Sequence, residues 1–289
     1  MPNIAVVGSI AVDEVVRLDA ALQRGGHNQG STPRARVGGG GANTAMALAR
    51  ASDHAVLFSA VSADDDGDWL VDAVMHTGVD VSCIDRGSEV TTRSLVLAEP
   101  EGERTIVNLR RAGLVVPPDL LLSDADAVYV RSRGAGLAPA LARAAAVTPV
   151  VAHVPPLDRG ARPAHVLVGS ADDIPEAFLE DPFRIGRRVA GAILRWVVIT
   201  RGAAGAVAYG EKGWIRVDAP SVEVVDSTGA GDVFAAGLVH ALAGSDLSEA
   251  AMTAALEVGV SWGAESVTYE GSVPPPGFPS GTAPGRPGS

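Results

Sequence analysis

The chain has 289 residues, 47% of them hydrophobic, which is enough to bury a sizeable core in one large domain or two modest ones. Its 23 basic and 34 acidic residues leave a net charge of −11, which argues against partners gripped through a phosphate backbone or an anionic surface, so neither nucleic acid nor a membrane is expected. One cysteine, Cys83, forms no internal disulfide, no basic segment precedes the first apolar run, and the apolar stretches at 135–154 and 190–200 are broken by Arg143, Pro149 and Arg195; a cytoplasmic protein is expected.

Along the chain, short β-branched runs alternate with Ala-rich stretches of 3.6-residue period, the pattern of an α/β fold with a largely parallel sheet. A strand at 4–7 is followed by a Gly-rich, polar segment at 13–36 and a helix at 41–50, then by a strand at 55–59 and a helix at 68–76. Strands at 94–98 and 105–108 make a hairpin over 93–109, which joins 13–36 in a small sheet outside the main one and forms a lid. Strands follow at 127–130, 150–153, 166–168, 197–200 and 206–209, with helices at 137–146 and 182–192 between them. Two final helices cover 230–243 and 248–262, and in the first of them Phe234, Leu238 and Ala241 share one face. A single domain is expected over 1–271, and 272–289, dominated by Pro, Gly and Ser, reads as a disordered tail.

Lys212 is the only lysine, and it sits in Gly210-Glu211-Lys212-Gly213, a hairpin tip. A P-loop needs its lysine beside a Gly-rich turn, so phosphoryl transfer here must use another design, and lysine Schiff-base chemistry is not expected.

The segment richest in chemistry is Val224-Val225-Asp226-Ser227-Thr228-Gly229-Ala230-Gly231-Asp232-Val233-Phe234. It reads as a strand ending at Asp226, a turn of small residues and an amphipathic helix from Ala230. Such a turn leaves backbone N–H groups directed along the helix axis, where the macrodipole also favours an anion. Gly229, Ala230 and Gly231 are small enough to let a phosphate approach the backbone, and the Asp232 carboxylate beside it can take a proton from an attacking hydroxyl. The same residues also suit a plain helix N-terminus with a dipole-complementing acid. A dinucleotide fingerprint fails, because its third glycine position is Phe234.

The run 226–238, DSTGAGDVFAAGL, resembles the C-terminal signature of the ribokinase-like, or PfkB, carbohydrate kinase family. Val37-Gly38-Gly39-Gly40-Gly41-Ala42-Asn43-Thr44-Ala45 resembles the N-terminal signature, and the acidic turn 61–67, the turn 200–205 and the segment 266–268 follow in the family's order. The resemblance implies a doubly wound, mostly parallel sheet sandwiched by helices, with a small β lid. It also implies ATP with Mg²⁺, Asp232 as base, and Gly229, Ala230 and Gly231 as the hole for charge on the transferred group. Asp13 resembles the aspartate that grips sugar hydroxyls, with Gly39, Gly40 and Asn43 lining the same pocket. Thr200, Gly202, Gly205 and Thr228 would face the nucleotide, and Asp226 with Thr228 resembles a site that in some members holds a monovalent cation such as K⁺.

Departures from the family pattern bear on metal and substrate. Where the family carries Asn-x-x-Glu, this chain has Gly169-Ser170-Ala171-Asp172-Asp173, so Asp173, one methylene shorter, is the candidate to act on Mg²⁺ through water. Arg131 and Arg133 stand where a sugar pocket often has a glutamate. Their forks suit a phosphate, sulfonate or carboxylate on the acceptor, with Asn108 nearby and Arg24 or His27 as helpers, and this end looks most like the sulfofructose kinase branch; alternating on a strand end, the two also suit surface arginines paired with the chain's many acids. The expected function is transfer of the ATP γ-phosphoryl group to a hydroxyl of a sugar or sugar derivative. A nucleoside kinase of the same fold and a non-catalytic sugar- or nucleotide-binding regulator are the alternatives. The lid sheet would either pair with a second copy in a homodimer or cover its own site.

Overall fold

A computed structural model describes residues 1–101, 103–114, 122, 124–132, 134, 136–154 and 157–280. The first half holds β1 (Asn3–Gly8), β2 (Ala11–Arg17), β3 (Arg34–Gly38), α1 (Gly40–Arg50), β4 (His54–Ala60), α2 (Asp65–Met75), β5 (Ile84–Asp85), β6 (Arg93–Ala98) and β7 (Arg104–Arg110). β8 (Ala127–Arg131), α3 (Leu137–Ala144), β9 (Val150–His153), β10 (Val166–Ser170), α4 (Glu176–Glu180) and α5 (Pro182–Ala190) follow. The chain then makes β11 (Trp196–Thr200), β12 (Ala206–Gly210), β13 (Gly213–Val217), α6 (Ala230–Leu242) and α7 (Glu249–Ser266).

Nine strands form one sheet in the order β13-β12-β11-β10-β9-β8-β1-β4-β5. From β5 to β11 all neighbours are parallel, and only β12 and β13 run against them. The alternation of strand side chains splits the core in two. Ile4 and Val6 of β1 pack with α1, α2, α6 and α7 on one face, whereas Ala5 and Val7 pack with α3 and α5 on the other. This is the doubly wound, three-layer α/β arrangement expected. The chain leaves β1 for β4 and β5 on one side and returns to β8 on the other. The parallel strands therefore change direction of progress at β1, the place where such sheets open a crevice at their carboxyl ends.

A second sheet, β3-β2-β6-β7, stands apart from the first and combines the two segments assigned to a lid. β2 and β6 are parallel, with antiparallel β3 and β7 outside them. Among the described residues, no helix is long and apolar enough to cross a membrane.

Two expectations are corrected. No strand leads into Asp226: 218–229 is irregular, Val224 and Val225 are exposed, and Val225 N–H bonds the Val267 carbonyl at 2.7 Å, so this segment crosses the end of α7 instead of joining a ladder. Residues 272–280 are also docked, not free. Phe278 is 3% exposed, its ring meets Trp262 edge-on at 5.1 Å, and Ser280 N–H bonds Glu265. One buried aromatic is enough to hold a segment whose composition reads as tail. Residues 281–289 lie outside the described residues.

Candidate active site

A cleft of about 1650 Å³ opens between the carboxyl ends of the parallel strands and the second sheet. Gly8, Ala60, Arg131, His153, Ser170 and Thr200, the last residues of β1, β4, β8, β9, β10 and β11, all line it. The fold thus delivers six strand ends to one concave surface.

α6 enters this cleft by its N-terminus. Gly229 takes a left-handed conformation (φ 77°) that turns the chain into the helix, and a Cβ there would meet Ser272 Cβ at 2.7 Å. Ala230 N–H makes only a 3.3 Å bond to the Ser227 carbonyl, and the Cβ position of Gly231 faces open space. Backbone is therefore presented to the cleft where helix amides and dipole attract an anion. Asp232 follows in the first turn, 6% exposed. Its Oδ2 accepts from Asn43 Nδ2 at 2.9 Å, and its Oδ1 lies 2.8 Å from Arg131 Nε. Burial works against the Arg131 charge, but Asp232, Tyr129 and Asp173 together outweigh it and hold the guanidinium above its ordinary value. A Cβ on Gly40 would stand 2.0 Å from Arg131 Nε, so the absence of a side chain at 40 is what lets the arginine reach the acid.

At the same end, Asp13 of β2 lies against Gly38, whose Cβ would sit 1.9 Å from Asp13 Oδ2. Burial raises the Asp13 carboxyl to about 6, a hydrogen bond with Ser94 pulls it back in part, and the Asp232 charge adds to the rise. Gly39 (φ 92°) caps α1 and approaches the Ser9 carbonyl too closely for any side chain. Asn43 Oδ1 is buried without a hydrogen-bond partner among the described residues, an acceptor left over beside Asp232. Asn108, on β7, faces the cleft from the second sheet. Arg24 and His27 do not line it; they lie on an exposed turn of that sheet. Arg133 lies outside the described residues.

The opposite end is built by Thr200 and by Gly202 (φ 52°) and Gly205 (φ 83°), which bracket a single 3₁₀ turn, Gly202–Ala204. Thr228 lines the cleft as well, whereas Asp226 stands behind it. Asp226 Oδ1 accepts from Thr228 N–H at 2.8 Å and from its hydroxyl, and Oδ2 accepts from Gly271 N–H at 3.0 Å. Burial pushes this carboxyl up, but those bonds and the Arg104 charge outweigh it and hold it below the usual range.

Asp172 and Asp173, exposed on the turn after β10, line the cleft edge, as does the exposed Glu103 from the second sheet's side. Among the described residues no group of three His, Cys, Asp or Glu gathers into a metal cage. That suits Mg²⁺, which keeps waters and substrate phosphates and needs only one or two protein carboxylates. The cleft also gathers a residue given no role from sequence: Arg104, the first residue of β7, donates to Thr228 Oγ1 and Ser227 Oγ. Only its place in Gly102-Glu103-Arg104 marked it, and that contact spans 124 residues of chain.

Comparison with known proteins agrees with this fold. An ATP-dependent ribose-1-phosphate kinase of Halopiger xanaduensis is 27% identical over 94% of each chain, and a ribokinase of Haemophilus influenzae is 27% identical over 93% of this chain and 94% of its own. The aminoimidazole riboside kinase of Salmonella typhimurium is 28% identical over 84% and 85%. Among solved structures, the ribokinase from Giardia lamblia superposes with a TM-score of 0.79 at 20% identity, covering 94% of this chain and 96% of its own. The ribokinase of Thermotoga maritima does so at 0.76 and 21%, covering 95% and 96%. Residues 1–276 match the pfkB family of carbohydrate kinases, and the chain belongs to this family of ATP-dependent kinases.

Proposed function

We propose that this kinase transfers the γ-phosphoryl group of ATP to a hydroxyl of a sugar derivative carrying an anionic group. The observation that carries the finer part is the Arg131–Asp232 pair: a guanidinium 2.8 Å from the acid at the phosphate-facing helix terminus. Arg131 occupies the Asp232 oxygen that an attacking hydroxyl would need, and a neutral sugar gives it no reason to leave. An anion on the acceptor does, because a phosphate, sulfonate or carboxylate offers the fork a bidentate partner of equal charge. The Halopiger relative, by its name, acts on a sugar phosphate.

In this reading Asp13 and the spare Asn43 Oδ1 accept hydrogen bonds from acceptor hydroxyls, and Arg131, with Asn108 near it, turns to the anionic group. Asp232 Oδ1, released, accepts the proton of the attacking hydroxyl as its oxygen bonds to the γ-phosphorus, and the bond to the ADP oxygen breaks. The amides at 229–231 face the charge on the phosphoryl oxygens. Thr200, Gly202, Gly205 and Thr228 hold the nucleotide. Mg²⁺, held by the phosphates and through water by Asp173, would neutralise phosphate charge when bound. The second sheet covers the cleft and keeps water from competing as acceptor. The cleft offers a nucleoside base little to stack on: Phe234 is the one Phe, Tyr or Trp among its described lining residues, and it is 5% exposed.

The test is ADP release with a panel of neutral sugars, sugar phosphates, sulfosugars and nucleosides. An anionic acceptor should give the highest kcat/KM. Asp232→Asn should lower kcat by about 10²–10⁴-fold, and Arg131→Ala should raise KM at least about tenfold for anionic acceptors alone. Equal losses on neutral acceptors would remove the anion, and no Asp232-dependent ADP from any acceptor would remove the mechanism.

A further inference from the structure

Three arginines of the second sheet converge on the segment behind the phosphate-facing turn. Arg104 of β7 donates to Thr228 Oγ1 and Ser227 Oγ, and its Nη1 lies 3.9 Å from Asp226 Oδ1. Arg36 of β3 lies 3.7 Å from Asp226 Oδ2 and 2.7 Å from Glu270 Oε1, which Arg17 of β2 also contacts. Three guanidinium groups thus face two carboxylates, leaving one positive charge in excess next to the turn at 229–231.

Asp226 and Thr228 are the residues whose family counterparts in some members hold a monovalent cation, and here they do not fit one. Such an ion needs unshared oxygen lone pairs and a negative field. The Thr228 and Ser227 hydroxyls already accept from Arg104, and the Asp226 oxygens take three donors from Thr228 and Gly271. A cation there would be repelled by both flanking guanidinium groups, Arg36 and Arg104. Arg104 also comes from the covering sheet, so its two bonds tie that sheet to the residues that set the path of the backbone into Gly229.

We propose that Arg104 is a positioning residue that supplies, from within the chain, the positive charge a bound K⁺ would bring, so that nucleotide binding and phosphoryl transfer are independent of monovalent cations. The inference needs the kinase chemistry but not the anionic acceptor. It predicts that calorimetric titration of Mg·ADP into the wild-type protein gives the same Kd within about twofold in KCl and in choline chloride of equal ionic strength. Arg104→Ala should weaken ADP binding about tenfold in choline chloride, as loss of a charge-assisted pair of hydrogen bonds requires, and tens of millimolar guanidinium ion should restore part of it. Arg104→Lys should retain most of the affinity. With any active acceptor, Arg104→Ala should lower kcat and leave the acceptor KM within about twofold. A wild-type Kd that tightens tenfold on adding K⁺ overturns the proposal, whether or not Arg104→Ala folds, and so does an Arg104→Ala protein that matches wild type in both salts. Absence of ADP binding in either salt overturns the phosphoryl-transfer reading along with it, whereas K⁺ dependence leaves that reading standing.

Discussion

Asp13 shows what a buried carboxyl does to the protein that holds it. Its folded-state value of about 6 lies above the ordinary 3.8, so folding binds the proton more tightly than the unfolded chain does. Stability linked to this residue is complete below about pH 4, falls as the pH rises toward about 6 and stays lost above it, by roughly 3 kcal/mol at 1.36 kcal/mol per unit. Asp13→Asn should therefore melt at a higher temperature than wild type at pH 8 and at the same temperature at pH 4, while its acceptor KM rises. A variant less stable than wild type at pH 8 would show that the carboxylate is well solvated. Asp232 and the glycines at 39–40 were legible in sequence because each sits in a run whose backbone demands small residues, and Asp13 through its resemblance to the family's sugar-gripping aspartate. The pairing of Arg131 with Asp232 was not, since nothing local tells an arginine at a strand end which distant acid it will meet; the sequence supports a substrate anion and a surface acid equally.

At the scale of elements, α6 owes its position to a glycine contact. A Cβ on Gly237 would lie 3.0 Å from Gly259 Cα, and one on Gly259 would lie 3.0 Å from the Phe234 carbonyl, so α6 and α7 cross with their backbones close together. Gly259→Val should destabilise the protein by about 1–3 kcal/mol in urea and also lower kcat, because pushing α6 away moves Asp232 with it. An unchanged kcat would mean that the helix N-terminus is anchored independently by Asn43 and Thr44. The long helices and central strands follow from their periodicity, with ends that move by a few residues. Of the strands that escaped separate notice, β5 is only two residues long, β2 and β3 carry half-exposed residues with no clean alternation, and β13 is exposed or half-exposed throughout. Helix α4 buries Phe178 alone, too little pattern in five residues to read.

Across the whole molecule, residues 272–280 close a chain of contacts. Phe278 meets Trp262, Trp262 stacks on His240 at 5.2 Å, and His240 Nδ1 lies 2.7 Å from the buried Asp53. The segment thereby joins α7, α6 and the turn before β4. Phe278→Ala should cost about 2–4 kcal/mol, read from the urea midpoint. A loss below 0.5 kcal/mol would return this stretch to the tail that its composition suggests.

The β12–β13 hairpin has one more consequence. Because β12 runs antiparallel to β11, Thr200 at the cleft end pairs with Ala206, and Trp196 at the far end pairs with Gly210, next to the exposed Lys212. An amine-reactive ester therefore finds a single lysine side chain, at the rim opposite the cleft. Coupled to a sensor surface through that lysine, the protein would present its open cleft to the flowing solution in one orientation.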